Sequence, residues 1–195
     1  MQQVELIPRP TIVEEHRRIA QWCRHCDRVL YGGLPEELVR AGLIGPRLTA
    51  LVAFLKGACH MSFSSIRKYF RDVIGVRISR GMLAKLVAKV TDSLAKSYEE
   101  VYAQVPLEAY LNVDETGHKD RGKLLWTWCF RATMFTLYKV SPSRGSDVLL
   151  EVLGREFSGV LGCDYFSAYR KYMRLNENVT LQFCLAHFIR DVKFL

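Results

Sequence analysis

Tyr110-Leu-Asn-Val-Asp-Glu-Thr-Gly117 decides how this chain is read, together with Gly159-Val-Leu-Gly-Cys-Asp-Tyr-Phe-Ser-Ala-Tyr169. Each stretch sets one aspartate, Asp114 or Asp164, at the end of a short apolar run. Such runs predict buried strands. A carboxylate at a strand tip is rigidly held and still open to solvent. Two tips on neighbouring strands can clamp divalent ions against a phosphate. The same spacing allows plainer roles: Asp114 capping a turn, and Asp164 starting the next helix as its N-cap. Neighbouring strand residues point to opposite faces, so Glu115 is not expected to serve as a third acid beside Asp114.

Around these tips the chain reads as alternating strands and helices. Residues 107–113 predict a strand and 117–122 a polar turn. Residues 124–130 and 133–140 predict an antiparallel hairpin. A loop at 141–145 leads to a helix at 147–153, a strand at 159–163, a short helix at 166–173, a strand at 179–183 and a helix from 186 onward. This order argues for a mixed sheet with helices packed against it. Trp126 and Trp128 alternate on one strand and so share a face, where core packing is the expected role.

Upstream the period is helical. Pro46 suits a first-turn position, and Leu48, Leu51, Val52 and Leu55 form one stripe that ends at Gly57. Ser62 can cap a second helix carrying Ile66, Tyr69, Phe70 and Val73, broken at Gly75. Ser79 can cap a third, whose apolar spacing runs from Leu83 almost to Pro106. Three such helices suit a helix-turn-helix and equally a plain bundle. The net charge of +8 is concentrated here: residues 40–96 hold eleven Lys/Arg against two Asp/Glu. Such a block attracts polyanions through Coulomb forces and counterion release, a solvated helical face being the alternative. Arg67, Lys68, Arg71, Arg77, Arg80, Lys85 and Lys89 would face outward and track DNA phosphates.

Residues 1–42 hold Pro8, Pro10, Gly32, Gly33 and Pro35 and read as an extended arm around a cysteine turn. Cys23-Arg-His-Cys26 has the spacing of one zinc knuckle, but structural Zn²⁺ takes four ligands. His16 and His25 could substitute, and a metal-free turn fits the spacing as well. The chain thus divides into this arm, a basic helical region at 43–105 and an α/β region at 106–195. No apolar run is long enough for a bilayer and no export signal opens the chain. A cytoplasmic protein with its six cysteines reduced is the expectation.

Five motifs occur in order: Val113-Asp-Glu-Thr-Gly117, Leu125-Trp-Thr-Trp128, Pro142-Ser-Arg-Gly145, Gly159 to Tyr169, and Cys184-Leu-Ala-His-Phe-Ile-Arg-Asp191. Together they resemble the central domain of the insertion sequence 66 family of transposases, over roughly residues 35–195. The resemblance implies an α+β protein: a helix-turn-helix-like N-terminal region, then an incomplete ribonuclease-H-like mixed sheet. It implies a three-carboxylate site in which Asp114 matches the first acid and Asp164 the second. The third, a glutamate, lies downstream of the matched motifs in the family. The family also has a further cysteine pair upstream of Cys23 and Cys26, so both ends read as clipped. The implied chemistry is Mg²⁺- or Mn²⁺-dependent DNA cleavage and strand transfer. The implied partners are DNA, at element ends and target, a full-length transposase and accessory element proteins. A non-catalytic DNA-binding remnant or regulator is the alternative. Cys184-Leu-Ala-His187 resembles a Cys-x-x-His motif of many transposases. His187 is accordingly an auxiliary candidate near the metals or DNA, against a packed helix residue. Asp191 could orient it, and Arg144 reads as a loop contact, to DNA for instance.

Overall fold

The computed structural model of the protein describes residue 2 and residues 11–193, without the side chains of Ala41 and Asp191. The expectations for Pro8, Pro10 and the Asp191 side chain therefore lie outside the described residues. The chain forms two compact units, Met1–Leu94 and Ala95–Leu195.

In the first unit, the cysteine turn sits in an antiparallel hairpin of β1 (Ala20–Cys23) and β2 (Arg28–Tyr31). The sequence reading expected only an extended arm there. The strands carry no burial pattern, since nearly all of their residues are exposed, so no period of two announces them. After α1 (Glu36–Ala41) come α2 (Pro46–Gly57), α3 (Phe63–Tyr69) with a π-helical turn at Phe70–Ile74, and α4 (Arg80–Ser93). Both serine caps form: Ser62 Oγ accepts from Ser65 N–H at 3.0 Å and Ser79 Oγ from Met82 N–H at 3.1 Å. Gly75, at φ 77°, ends the π turn in the left-handed region open to glycine. Val52, Leu55, Ile66, Phe70, Ile74, Ile78, Leu83 and Leu86 close one core between α2, α3 and α4.

The long helix expected from Ser79 to Pro106 is two helices. α4 stops at Leu94, and α5 (Ala95–Gln104) begins the second unit. At the break, Thr91 and Ser93 hydroxyls donate to the Val87 and Val90 carbonyls, at 3.1 and 2.7 Å. Hydroxyls bonded back onto the helix in this way weaken its own ladder.

The second unit is a mixed sheet with helices. β3 (Tyr110–Asp120), β4 (Lys123–Arg131) and β5 (Thr136–Ser141) form an antiparallel meander. α6 (Ser146–Leu153) leads to β6 (Gly159–Cys163), then α7 (Ser167–Leu175), β7 (Val179–Phe183) and α8 (Leu185–Val192). The order is β5-β4-β3-β6-β7, with β6 parallel to both β3 and β7. This suits the ribonuclease-H-like domain that the sequence resemblance implies. The turn expected at 117–122 is shorter. β3 continues to Asp120, and only Arg121 (φ 48°) and Gly122 (φ 81°) turn the chain, both left-handed.

Leu111, Val113, Trp128, Phe130, Leu137 and Leu161 point from the sheet onto Val148, Leu149, Val152, Tyr169 and Tyr172 of α6 and α7. On β3 the burial alternates, with Asn112 and Asp114 exposed on the other face. β6 starts tightly against the chain before β3: a Cβ on Gly159 would lie 2.7 Å from the Ala109 carbonyl oxygen. Among the described residues no helix is long and apolar enough to cross a membrane.

Candidate active site

β3 and β6 run side by side and in parallel, with Asn112 level with Gly162. Asp164 stands just past the end of β6, near enough for its charge to act on Glu115, Cys163 and Tyr169, and Asp114 lies two residues beyond Asn112 and so on its face of β3. The face is the open one. A Cβ on Gly162 would meet Asn112 Oδ1 at 2.6 Å and the Tyr110 hydroxyl at 2.8 Å, so those side chains lie across β6 where it has none. Asp114 and Asp164 both line one open cleft of about 560 Å³, with Asn112, Gln182, Cys184 and His187. It lies where β6 stops and β3 continues, outside the carboxyl ends of parallel strands.

Each acid spends one oxygen on local backbone. Asp114 Oδ1 accepts from Glu115 N–H at 2.9 Å, and Asp164 Oδ1 accepts from Phe166 N–H at 2.8 Å. The second contact is a turn bond just ahead of α7, whose N-cap is Phe166, not Asp164. The turn role and the cleft role thus coexist on Asp164. Asn112 and Gln182 were missed in the sequence. Asn112 had a signal: it sits two residues before Asp114 and so shares its face. Its carboxamide oxygen accepts the Tyr110 hydroxyl at 2.7 Å.

Glu115 lies on the opposite, helix-bearing side, its side chain 1% exposed. Arg144 Nε donates to Oε1 at 2.9 Å, a terminal nitrogen of the same guanidinium pairs ionically with Oε1 at 2.9 Å, and the Tyr169 hydroxyl donates to Oε2 at 2.5 Å. Burial, with the Asp164 charge adding to it, pushes the Glu115 carboxyl above its ordinary value, against the pull of the Tyr169 and Arg144 bonds. Burial likewise raises the Tyr169 hydroxyl, helped by Glu115. Burial pushes the Cys163 thiol up to about 12, with Asp164 and Glu115 adding to it. Arg144, expected as a loop contact, is thus held inside the unit by an acid. His187 stands in the first turn of α8 with its Nδ1 buried, beside Cys184, whose thiol it pulls below its ordinary value.

Two carboxylates flanked by amide oxygens are a hard donor set that suits Mg²⁺ or Mn²⁺. Among the described residues no group of three or more His, Cys, Asp or Glu could hold a metal ion. Zn²⁺ fits less well. Cys23 and Cys26 flank the β1–β2 turn, and hydrogen bonds from Cys26 pull the Cys23 thiol down. No described His, Cys or acid joins them in a ligand set.

In the first unit, Arg67, Lys68, Arg71, Arg77, Arg80, Lys85 and Lys89 are all exposed. The fold brings three of them together: Arg67, Arg71 and Arg77 line one pocket of about 470 Å³ beside Ser79. Arg71 is bound to Asp72 at 2.6 and 3.0 Å. Lys89 Nζ donates to the Arg40 carbonyl at 2.8 Å.

The family model described as Transposase IS66 family matches residues 41–195. No curated protein matches the chain.

Proposed function

Because the chain belongs to the IS66 family of transposases, we propose that Asp114 and Asp164 are two acids of a DNA-cleaving site and that the basic helices grip the DNA. The observation that supports this is the shared cleft at the ends of adjacent parallel strands. A divalent cation bound there supplies Lewis-acid charge at the attacked phosphate. β3 carries Asp114 and the turn after β6 carries Asp164, and the bonds from the Glu115 and Phe166 N–H groups leave one oxygen of each for the cleft. In the family reaction this corresponds to cleavage at element ends followed by transfer of the 3′ hydroxyl into target DNA.

Among the described residues the cleft has two acids, where the family resemblance implies three. The purified chain is therefore expected to bind Mn²⁺ weakly through Asp114 and Asp164 and to perform no strand transfer. Titration followed by electron paramagnetic resonance checks the first part, and Asp114→Asn should abolish binding. Robust transfer by the chain, lost in Asp114→Ala, would refute the second.

The arginine pocket favours a second reading, a DNA-binding protein that modulates a complete transposase. Salt titration of duplex affinity separates the contributions. Arg67→Ala with Arg77→Ala should flatten the log–log salt slope by about two. Arg71→Ala should change it less, since Asp72 already neutralises that guanidinium. An unchanged slope in the double variant removes the pocket from the DNA contact.

A further inference from the structure

Backbone pairing between β3 and β6 ends at Asn112 and Gly162, short of both acids. No ladder bond fixes the distance between Asp114 and Asp164. A partly buried network behind the cleft bridges that gap. Glu115 follows Asp114 directly and takes a hydrogen bond from Arg144 Nε at 2.9 Å, with a terminal nitrogen of the guanidinium in ion-pair contact at 2.9 Å. The same guanidinium carbon lies 3.9 Å from the centre of the Phe166 ring and 4.6 Å from that of Trp126. Phe166 is the residue whose N–H holds the Asp164 carboxylate. Tyr169, in the first turn of α7, closes the network on Glu115 Oε2. One side chain thus touches the residue after the first acid and the residue that orients the second.

We propose that Arg144 is a positioning residue for the two-acid site, setting the separation of Asp114 and Asp164 by clamping Glu115 to Phe166. Arginine suits the task because its planar fork bonds a carboxylate along its edge while its faces stack on rings. Lysine keeps the charge and loses both. A DNA contact, the role expected for this loop, competes poorly for a guanidinium already bonded and stacked. The proposal rests on the metal role proposed for the two acids, so its test carries a readout that does not depend on metal.

The experiment uses the full chain with Arg144→Lys and Arg144→Gln. Mn²⁺ titration should show affinity weakened about tenfold or more in both, in the range set by residues that orient metal ligands. Amide hydrogen exchange should speed up at Glu115 and Phe166, while the β4–β5 hairpin and α2–α4 keep their protection. Unchanged Mn²⁺ affinity in both variants overturns the clamp. So does a loss of affinity that comes only with lost protection across the whole sheet. If the unmodified chain binds no Mn²⁺, the metal reading fails and exchange alone decides. Selective exposure at Glu115 and Phe166 then supports the clamp, and unchanged protection there overturns it.

Discussion

Replacing Trp128 with alanine is expected to destabilise the sheet unit by about 4 kcal/mol, within the range for large aromatic truncations. Trp128 has no solvent exposure and sits in the middle of β4. Its ring stacks with Phe130 at 6.3 Å between centroids and meets Tyr169 edge-on at 6.2 Å. Alanine leaves a cavity bounded by strands and by α7, which a hydrogen-bonded sheet cannot collapse to fill. The indole N–H also donates to the Ser143 carbonyl at 3.1 Å, which fixes the loop carrying Arg144. Trp128→Phe keeps the six-membered ring but loses the pyrrole ring and that bond, so about 2 kcal/mol is expected. Urea denaturation followed by Trp126 fluorescence measures both, and amide exchange assigns the loss to β3 and β4. Near-equal costs for the two variants would mean that the pyrrole ring and its Ser143 bond, not the rest of the packing, dominate.

The elements around Trp128 were legible because burial imposes a period. Trp126 and Trp128 fall on one face, and both join the core. The helices of the first unit announced themselves through stripes and through Ser62, Gly75 and Ser79, each of which ends or starts an element in the structure. What stayed hidden carries no such period. The Ala20–Tyr31 hairpin buries almost nothing, and residues 117–120 of β3 extend as an exposed arm whose polar side chains look like a turn. The break at Leu94 was invisible for a different reason: the apolar spacing continues through it, while the hydroxyls of Thr91 and Ser93 disturb the backbone.

Strand alternation also carried part of the site. It sets Asp114 and Glu115 on opposite faces, and the structure holds Glu115 behind the sheet with Arg144 and Tyr169. That Asp114 and Asp164 line one cleft could not be read from spacing, because it depends on strand order. β6 must insert beside β3 and parallel to it, after a meander has already covered the other edge of β3. The Arg144 network was equally unreadable. Its members lie 29 and 54 residues from Glu115 in sequence, so no local pattern links them.

Glu115→Ala is expected to destabilise the unit by about 3 kcal/mol, the lower end for breaking a buried pair, since the Arg144 side chain keeps 39% exposure. The change strands a guanidinium between Trp126 and Phe166 and removes the acceptor of the Tyr169 hydroxyl. Glu115→Gln preserves an acceptor for Arg144 and the shape of the site, and should cost far less. The two variants separate hydrogen bonding from charge, and pH then tests the charge. Burial raises the Glu115 carboxyl above 4.5 in the fold, so the native state holds that proton more tightly than the unfolded chain. Its contribution to stability is full below 4.5 and is lost as pH rises through the raised native value. Wild-type stability relative to Glu115→Gln should therefore fall across that window, because glutamine has no proton to release. Urea midpoints at half-unit pH steps resolve the difference. A wild-type advantage that grows with pH there would mean that the bonds from Arg144 and Tyr169 outweigh burial. The network would then hold Glu115 as an ion, and protonation would loosen the segments carrying both acids.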